Sequence, residues 1–451
     1  MRELVLMKKI LILGAGRSSS SLISYVLTHA PSNEWLVVVG DLSVEAARQR
    51  IGSGNAAAVQ FDIKDEASSA RIIAESDVVI SLLPADLHPL VARLCISLKK
   101  HFLSASYVSD EMKKFHEDAL DNGLLLLNEC GLDPGIDHMS AMQMIDKIKS
   151  SGGELISFES FTGGLITPDT DPENPWRYKF TWNPRNVVMA GQGTAKFLKK
   201  GQFKYVPYHQ LFNRTTSVEV SGRLYEGYPN RDSLKYRSIY GLQGIKTMIR
   251  GTLRNAGFCN AWNVLVQLGC CDDTYTLENV EKMTHRDFMN CFLTSDVTAS
   301  TEEAICSTLN IPPDHGSIQR LRWSGMFSDE PVGLSHGTPA RVLEHILNKR
   351  WKLSPGDKDL IVMWHRFRYS LNGSMRTIVS HLTVAGEDET QTAMAKTVGL
   401  PLAIAARLLL QGKVMQRGVV IPVQAEIYQP VLSELNSLGI VFFESGEQHN
   451  G

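Results

Sequence analysis

Lys8-Lys9-Ile10-Leu11-Ile12-Leu13 runs directly into Gly14-Ala15-Gly16, and a helix-compatible stretch follows from Ser18 to Thr28. A short, continuously apolar run suits a strand buried on both faces of a sheet. Gly14 lets the chain turn sharply, and Gly16 lets the backbone approach a pyrophosphate. The helix behind them points its N–H groups and positive dipole end at those phosphates. Ser19 stands where the third glycine of the dinucleotide fingerprint belongs, so the motif rests on its context of strand, helix and a later acid. A plain strand-to-helix turn in another doubly wound protein is the competing reading.

The same pattern repeats outward. Trp35–Val39 closes at Gly40-Asp41, with helix-forming Val44–Arg50 behind it; Val78–Leu83 and Phe102–Ala105 flank a helical Leu87–Leu98. Such alternation predicts an α/β fold, with residues 8–133 forming a Rossmann-type doubly wound parallel sheet domain. Asp41 lies 25 positions after Gly16. A carboxylate at the end of the second strand accepts both ribose hydroxyl protons and repels a 2′-phosphate, which favours NAD over NADP. The position also suits a helix N-cap, as does Ser43, and the two roles are compatible.

After Gly131-Leu132-Asp133-Pro134-Gly135 the texture changes. A helix over Asp137–Lys149 precedes an alternating run, Glu154–Thr162, and Thr215–Val220 and Arg376–Thr383 also read as strands among turns, as in a mixed sheet. From Asn263 to Lys349 the pattern is mostly helical, and Ala393–Gly412 and Pro430–Leu438 return to helical spacing.

Composition narrows the function. The 451 residues correspond to about three domains. Lys+Arg 46 against Asp+Glu 48 leaves a net charge of −2, so no whole-chain field invites nucleic acid or anionic lipid. The longest apolar run, Leu402–Leu410, is short of a bilayer span and contains Arg407. Met1–Leu13 lacks a small-residue cleavage site, so no signal peptide is expected, and Met7 would begin the first strand as well as Met1. Seven irregularly spaced cysteines without a C-x-x-C pair argue against a disulfide framework and a zinc site, and a reducing compartment, the cytoplasm, is expected. No paired-ligand spacing occurs among the thirteen histidines, so no metal is expected.

Gly333-Leu334-Ser335-His336-Gly337 fits a hydrolase nucleophile pattern, but the turn-like residues before it predict a loop ahead of a helix after Pro339. Cys270-Cys271 lacks a nearby basic partner and reads as a pair of buried structural thiols. Arg231 and Arg254 lie beside turn residues, where a fixed arginine suits bidentate recognition of carboxylates; a solvated surface arginine is the bland alternative. Asp133, ahead of Pro134, is biased toward extended backbone and suits a cleft, or an N-cap for the next helix.

Six segments in order resemble saccharopine dehydrogenases of the L-glutamate-forming type: Ser104–Ser109, Gly131–His138, Tyr178–Trp182, Gly227–Ser233, Arg250–Arg254 and Ala393–Pro401. The resemblance implies three parts: a Rossmann domain (1–133 and 391–451), a mixed-sheet substrate and dimerisation domain (134–262 and 350–390), and a helical inserted domain (263–349). It implies oxidation of saccharopine with NAD, NADP being the alternative, and water to 2-aminoadipate semialdehyde and L-glutamate, or the reverse condensation, in a homodimer. By resemblance, Gly14, Ala15, Gly16 and Arg17 hold the phosphates; Gly40, Asp41 and Leu42 surround the adenosine ribose; Asp62 and Ile63 lie by the adenine. Ser81, Leu82 and Leu83 run along the cofactor, Ser104, Ala105, Gly131 and Leu132 approach the nicotinamide half, and Asn183 lies near the cofactor. Ser106, Tyr107 and Asp133 touch the substrate; Arg231, Thr252, Leu253 and Arg254 hold its carboxylates. Tyr107 and Asp133 are the acid–base candidates, since the amine must be neutral before hydride leaves.

Two departures accompany the resemblance. NADP-using fungal relatives carry arginine where Asp41 stands, and relatives carry cysteine where Thr162 precedes Gly163-Gly164. A carboxyspermidine-type imine-reducing enzyme and a non-catalytic nucleotide sensor are the alternative functions.

Overall fold

The computed structural model describes residues 7–189, 193–294 and 300–449. Met1 to Leu6, on which the reading of the N-terminus rests, lie outside the described residues, as do 295–299 within the expected helical region. Packing divides the chain into two compact units, residues 1–153 with 390–442, and residues 154–389 with 443–451.

The first unit is built on a seven-stranded parallel sheet in the order Gly418–Val420, Leu125–Leu127, His101–Ser104, Val78–Ser81, Lys8–Leu13, Trp35–Asp41 and Ala57–Gln60. The six strands before Gly418 have the doubly wound order, with the switch point between Lys8–Leu13 and Val78–Ser81. Ile10 to Leu13 and Val78 to Ile80 are fully buried, which is why they read as unbroken apolar runs. The helix Ala393–Leu410 packs against Ser20–Asn33 so closely that a Cβ on Gly399 would lie 2.9 Å from the Leu22 backbone nitrogen. Long and apolar enough to cross a membrane, Ala393–Leu410 is 78% buried inside the structure, the burial pattern of a core helix.

The second unit carries a mixed sheet in the order Thr216–Val220, Arg223–Pro229, Thr247–Asn255, Glu154–Ile166, Asp359–Leu371, Ser374–Ala385 and Phe442–His449. Only the pair Thr247–Asn255 and Glu154–Ile166 is parallel among the registers described, and it aligns Thr252 with Thr162. Gly163 is required there, because a Cβ would meet the Leu253 carbonyl oxygen at 2.7 Å.

Three expected boundaries move, the first where residues 443–451, expected with the Rossmann domain, group with the second unit, whose sheet Phe442–His449 joins. The helix Ile136–Ser150, assigned from sequence to the second domain, belongs to the first unit, where Tyr428 Oη donates to Asp146 Oδ2 at 2.6 Å. Residues 263–349 do not separate as a third unit: Trp262, Leu265, Ile305, Leu343 and Ile346 share one core with Phe161, Tyr228 and Leu253 of the sheet.

Candidate functional site

Parallel strands bring their C-terminal ends to one edge of the first sheet, where ligands of open α/β sheets bind. Gly14 turns there with φ +99°, and a Cβ on it would lie 3.1 Å from the Leu82 carbonyl carbon, so glycine is needed twice over. Its N–H donates to Gly40 O at 2.8 Å, and Leu82 N–H donates to Leu13 O at 2.8 Å, which ties three strand ends together. Above Gly16 nothing lies within 4 Å of an added Cβ, and Arg17 is exposed beside it. No side chain caps the helix Ser20–Asn33, leaving first-turn N–H groups for an anion. Ser19, in the third-glycine position, turns its buried hydroxyl back to Gly16 O at 2.8 Å.

Asp41 does two jobs. Its Oδ2 accepts from Ala15 N–H at 2.7 Å and its Oδ1 from Ser43 N–H at 2.9 Å, while Ser43 rather than Asp41 caps the helix Val44–Ile51. The carboxylate is therefore fixed and still half-exposed, with lone pairs left for a ribose diol. The Ala15 N–H is turned to Asp41, and its carbonyl accepts from Arg50 Nε at 3.3 Å. Leu42 is exposed. Asp62 sits in the turn after Ala57–Gln60 with Oδ1 accepting Lys64 N–H at 3.0 Å, whereas Ile63 is buried in the unit's core rather than presented to a ligand. Ser81 ends its strand with a buried hydroxyl that has no partner among the described residues, and Leu82 and Leu83 beyond it are partly exposed. An open shelf over Gly16, an uncapped helix, a placed carboxylate and an orphaned hydroxyl fit a dinucleotide.

The loop after His101–Ser104 and the loop after Leu125–Leu127 meet at the same edge. Tyr107 Oη donates to Asp133 Oδ1 at 3.0 Å, and both side chains are partly exposed. Ser104 is buried with Oγ 3.3 Å from Asn128 Oδ1, Ala105 and Ser106 are partly exposed, and Leu132 is buried. Gly131 is glycine because a Cβ would lie 2.8 Å from that of Ala105. Behind this pair, unforeseen from sequence, lie Glu129, Asp137 and His138, all at most 2% exposed. The only sequence signal was two polar residues, Asn128-Glu129, following the apolar Leu124–Leu127 without a turn.

In the second unit Arg254 is 4% exposed, with its guanidinium over the rings of Tyr178 (5.0 Å) and Phe258 (5.1 Å). Its Nη1 donates to Leu253 O at 3.1 Å, and its buried Nε has no partner among the described residues. A buried guanidinium facing ring faces and one carbonyl is poised for a carboxylate. Thr252 is partly exposed on the same strand, and Leu253 is fully buried in the core. Arg231 is exposed, at φ +51°, just past Pro229, which pairs with Gly251, whereas Arg254 pairs with Glu226. Five residues of chain, roughly 17 Å if extended, separate Arg231 from the Arg254 register position. The two arginines thus stand at different points relative to the same strand pair, one exposed and one buried. Asn183 is exposed and caps the short helix Pro184–Val188. Thr162 is buried, and its hydroxyl has no partner among the described residues.

The other motifs stay apart from these sites. Gly333–Gly337 is a loop ahead of the helix Pro339–Trp351, which Thr338 caps, and Ser335 Oγ lies 2.9 Å from its neighbour His336 Nδ1. Cys270 and Cys271 are buried, and burial pushes the Cys271 thiol up to about 12. Among the described residues, no group of His, Cys, Asp and Glu gathers with metal-ligand geometry.

Two family models match, "Saccharopine dehydrogenase NADP binding domain" over residues 10–127 and "Saccharopine dehydrogenase C-terminal domain" over residues 131–440. The chain is 35% identical over 445 residues to alpha-aminoadipic semialdehyde synthase, mitochondrial, of Rattus norvegicus, with 96% of this chain covered and 47% of the relative. It thus spans about half the length of the mammalian relatives it matches. To saccharopine dehydrogenase [NADP(+), L-glutamate-forming] of Saccharomyces cerevisiae it is 31% identical over 436 residues, covering 95% of this chain and 96% of that one. The solved apo structure of a Saccharomyces cerevisiae saccharopine dehydrogenase (L-Glu forming) superposes with a TM-score of 0.86 at 29% identity, over 98% of this chain and all of that one.

Proposed function

Because this chain belongs to the saccharopine dehydrogenase family, we propose that it oxidises saccharopine with a nicotinamide dinucleotide and water to 2-aminoadipate semialdehyde and L-glutamate, or runs the reverse condensation. The observation that carries the reading is the Tyr107–Asp133 hydrogen bond, set at the same sheet edge as the Gly14–Gly16 turn. The family resemblance accounts for an acid–base pair at that place.

Gly16, Arg17, the first turn of Ser20–Asn33, Asp41, Ser81 and Ser104 would hold the dinucleotide, which when bound supplies the two-electron acceptor. The chain's own residues handle binding and protons. Asp133, hydrogen-bonded to Tyr107, accepts the proton that leaves the substrate's secondary amine, and the pair returns protons as water adds to the imine and glutamate departs. Arg254 holds one carboxylate in a low-dielectric ring pocket, and Arg231 and Thr252 hold others. A buried arginine of this kind serves a ligand with acidic arms, which a nucleotide sensor does not require.

NAD is the preferred cofactor in this proposal. The family model and the fungal relatives carry NADP in their names, but Asp41 is held by two backbone donors where a 2′-phosphate would have to sit. A homodimer and a cytoplasmic location belong to the same proposal and are read by sedimentation and by cell fractionation. The deciding assay is reduction of NAD or NADP by purified protein with saccharopine at alkaline pH; no reduced cofactor with either would overturn the function. Asp41→Arg should shift preference toward NADP by about 10-fold or more, and an unchanged preference would remove Asp41 from the ribose.

A further inference from the structure

We propose that Glu129 and His138 form a buried brace that fixes Tyr107 against Asp133, making them positioning residues for the reaction proposed above, on which this inference rests. Tyr107 and Asp133 stand on different loops, so their 3.0 Å hydrogen bond depends on how those loops are held. Glu129 holds both. Its Oε1 accepts the N–H of Val108, the residue after Tyr107, at 3.0 Å, and its own N–H donates to Ser106 O at 3.0 Å, the residue before. Two contacts flanking Tyr107 therefore converge on one residue, which adopts φ +54°, a conformation that a glutamate takes only when its surroundings impose it.

On its far side Glu129 Oε2 lies 2.9 Å from His138 Nε2, in the first turn of the helix Ile136–Ser150. His138 Nδ1 is 3.7 Å from Asp137 Oδ2, and Asp137 Oδ1 accepts Gly135 N–H at 2.7 Å, two residues from Asp133. The loop of Asp133 is closed on itself as well, Gly131 N–H donating to Pro134 O at 2.9 Å. Hydrogen bonds thus tie Val108 through Glu129 to His138, and the next residue back on the same helix turn, Asp137, holds Gly135. Glu129, Asp137 and His138 are all buried, and their bonds to the loops of Tyr107 and Asp133 make them act through the pair they hold.

The test uses the full-length protein. Glu129→Ala and His138→Ala should each lower kcat about 10- to 100-fold, the range expected when reacting groups are displaced by a fraction of an ångström, while cofactor affinity changes less than about twofold. His138→Gln, which returns a donor toward Glu129, should restore most of the rate. Either alanine variant combined with Tyr107→Phe should be no slower than Tyr107→Phe alone, because both changes break one unit. Multiplying rate losses in that double variant would overturn the brace, as would a full kcat in a folded Glu129→Ala protein. If Glu129→Ala fails to fold, the His138 variants decide by the same cycle. Hydrogen exchange at the Val108 and Gly135 amides gives a readout free of the assumed substrate. Faster exchange at both in the alanine variants supports the brace even if saccharopine proves not to be turned over, and unchanged exchange refutes it.

Discussion

Gly399→Ala sets helix propensity against packing, and the structure decides the sign. Alanine in place of glycine inside a helix is worth about 1 kcal/mol of stability. The added methyl, however, would lie 2.9 Å from both Leu22 N and Leu22 Cβ and 3.3 Å from Leu22 Cα, where unstrained contacts need about 3.5–4.0 Å. Two of these three atoms are backbone, so no side-chain tip can swing aside, and the helices Ser20–Asn33 and Ala393–Leu410 must separate by several tenths of an ångström. Overpacking of this kind costs about 1–3 kcal/mol, and a backbone clash belongs toward the upper end. The net is about 1–2 kcal/mol of destabilisation, a fall in Tm of roughly 2–6 °C for a unit of this size. Leu22 is in the first turn behind the Gly14–Gly16 turn, so the displacement reaches the phosphate-binding end and should weaken NAD binding about 2- to 5-fold, under 1 kcal/mol. A thermal melt and a nucleotide titration measure both quantities. A Tm that rises, with NAD affinity unchanged, would show that propensity wins and that the helix contact does not position the site.

Other outcomes follow from the same geometry. Gly16→Ala adds a methyl to open space, so stability should stay within about 0.5 kcal/mol while NAD affinity falls about 10-fold or more; equal loss of both by melt and titration would contradict it. Arg254→Met keeps the volume between Tyr178 and Phe258 but removes the charge, and should cut kcat/KM for saccharopine by about 30-fold or more, some 2 kcal/mol or above, while the protein stays folded in a thermal melt. His88 is buried with Nε2 unpartnered among the described residues and packs edge-on to Phe102 at 5.8 Å, and burial pushes its pKa down to about 4. The folded chain therefore resists a proton that the unfolded chain takes up near 6.5. Stability should be intact above that pH and fall toward 4, by about 2 kcal/mol at pH 5. Urea midpoints at pH 7 and 5 should lose most of that slope in His88→Phe; an unchanged slope would place the acid sensitivity elsewhere.

Much of the first unit was legible because its strands are buried on both faces and announce themselves as apolar runs ended by Gly14, Gly40 or Ser81. The short strands Ala57–Gln60, Leu125–Leu127 and Gly418–Val420 were not, since three or four residues carry no period. The helices over Ser20–Asn33 and Ala425–Ser437 run through Pro31 and Pro430, further than proline rules suggest, because tertiary packing holds them. The dinucleotide turn and Asp41 could be found by local spacing. Glu129 and His138 could not, for their meaning lies in which two loops they join, and no period or motif records that. The bond from Ala15 N–H to Asp41 was hidden for the same reason, since the two are neighbours only in three dimensions.

The strand order has a consequence for biosynthesis. Gly418–Val420 completes one edge of the first sheet, and Phe442–His449 completes an edge of the second, so neither β-layer is finished until these late strands have left the ribosome. A nascent chain paused before them presents the unpaired edges of Leu125–Leu127 and Ser374–Ala385 at once, the kind of template that recruits chaperones or stray strands.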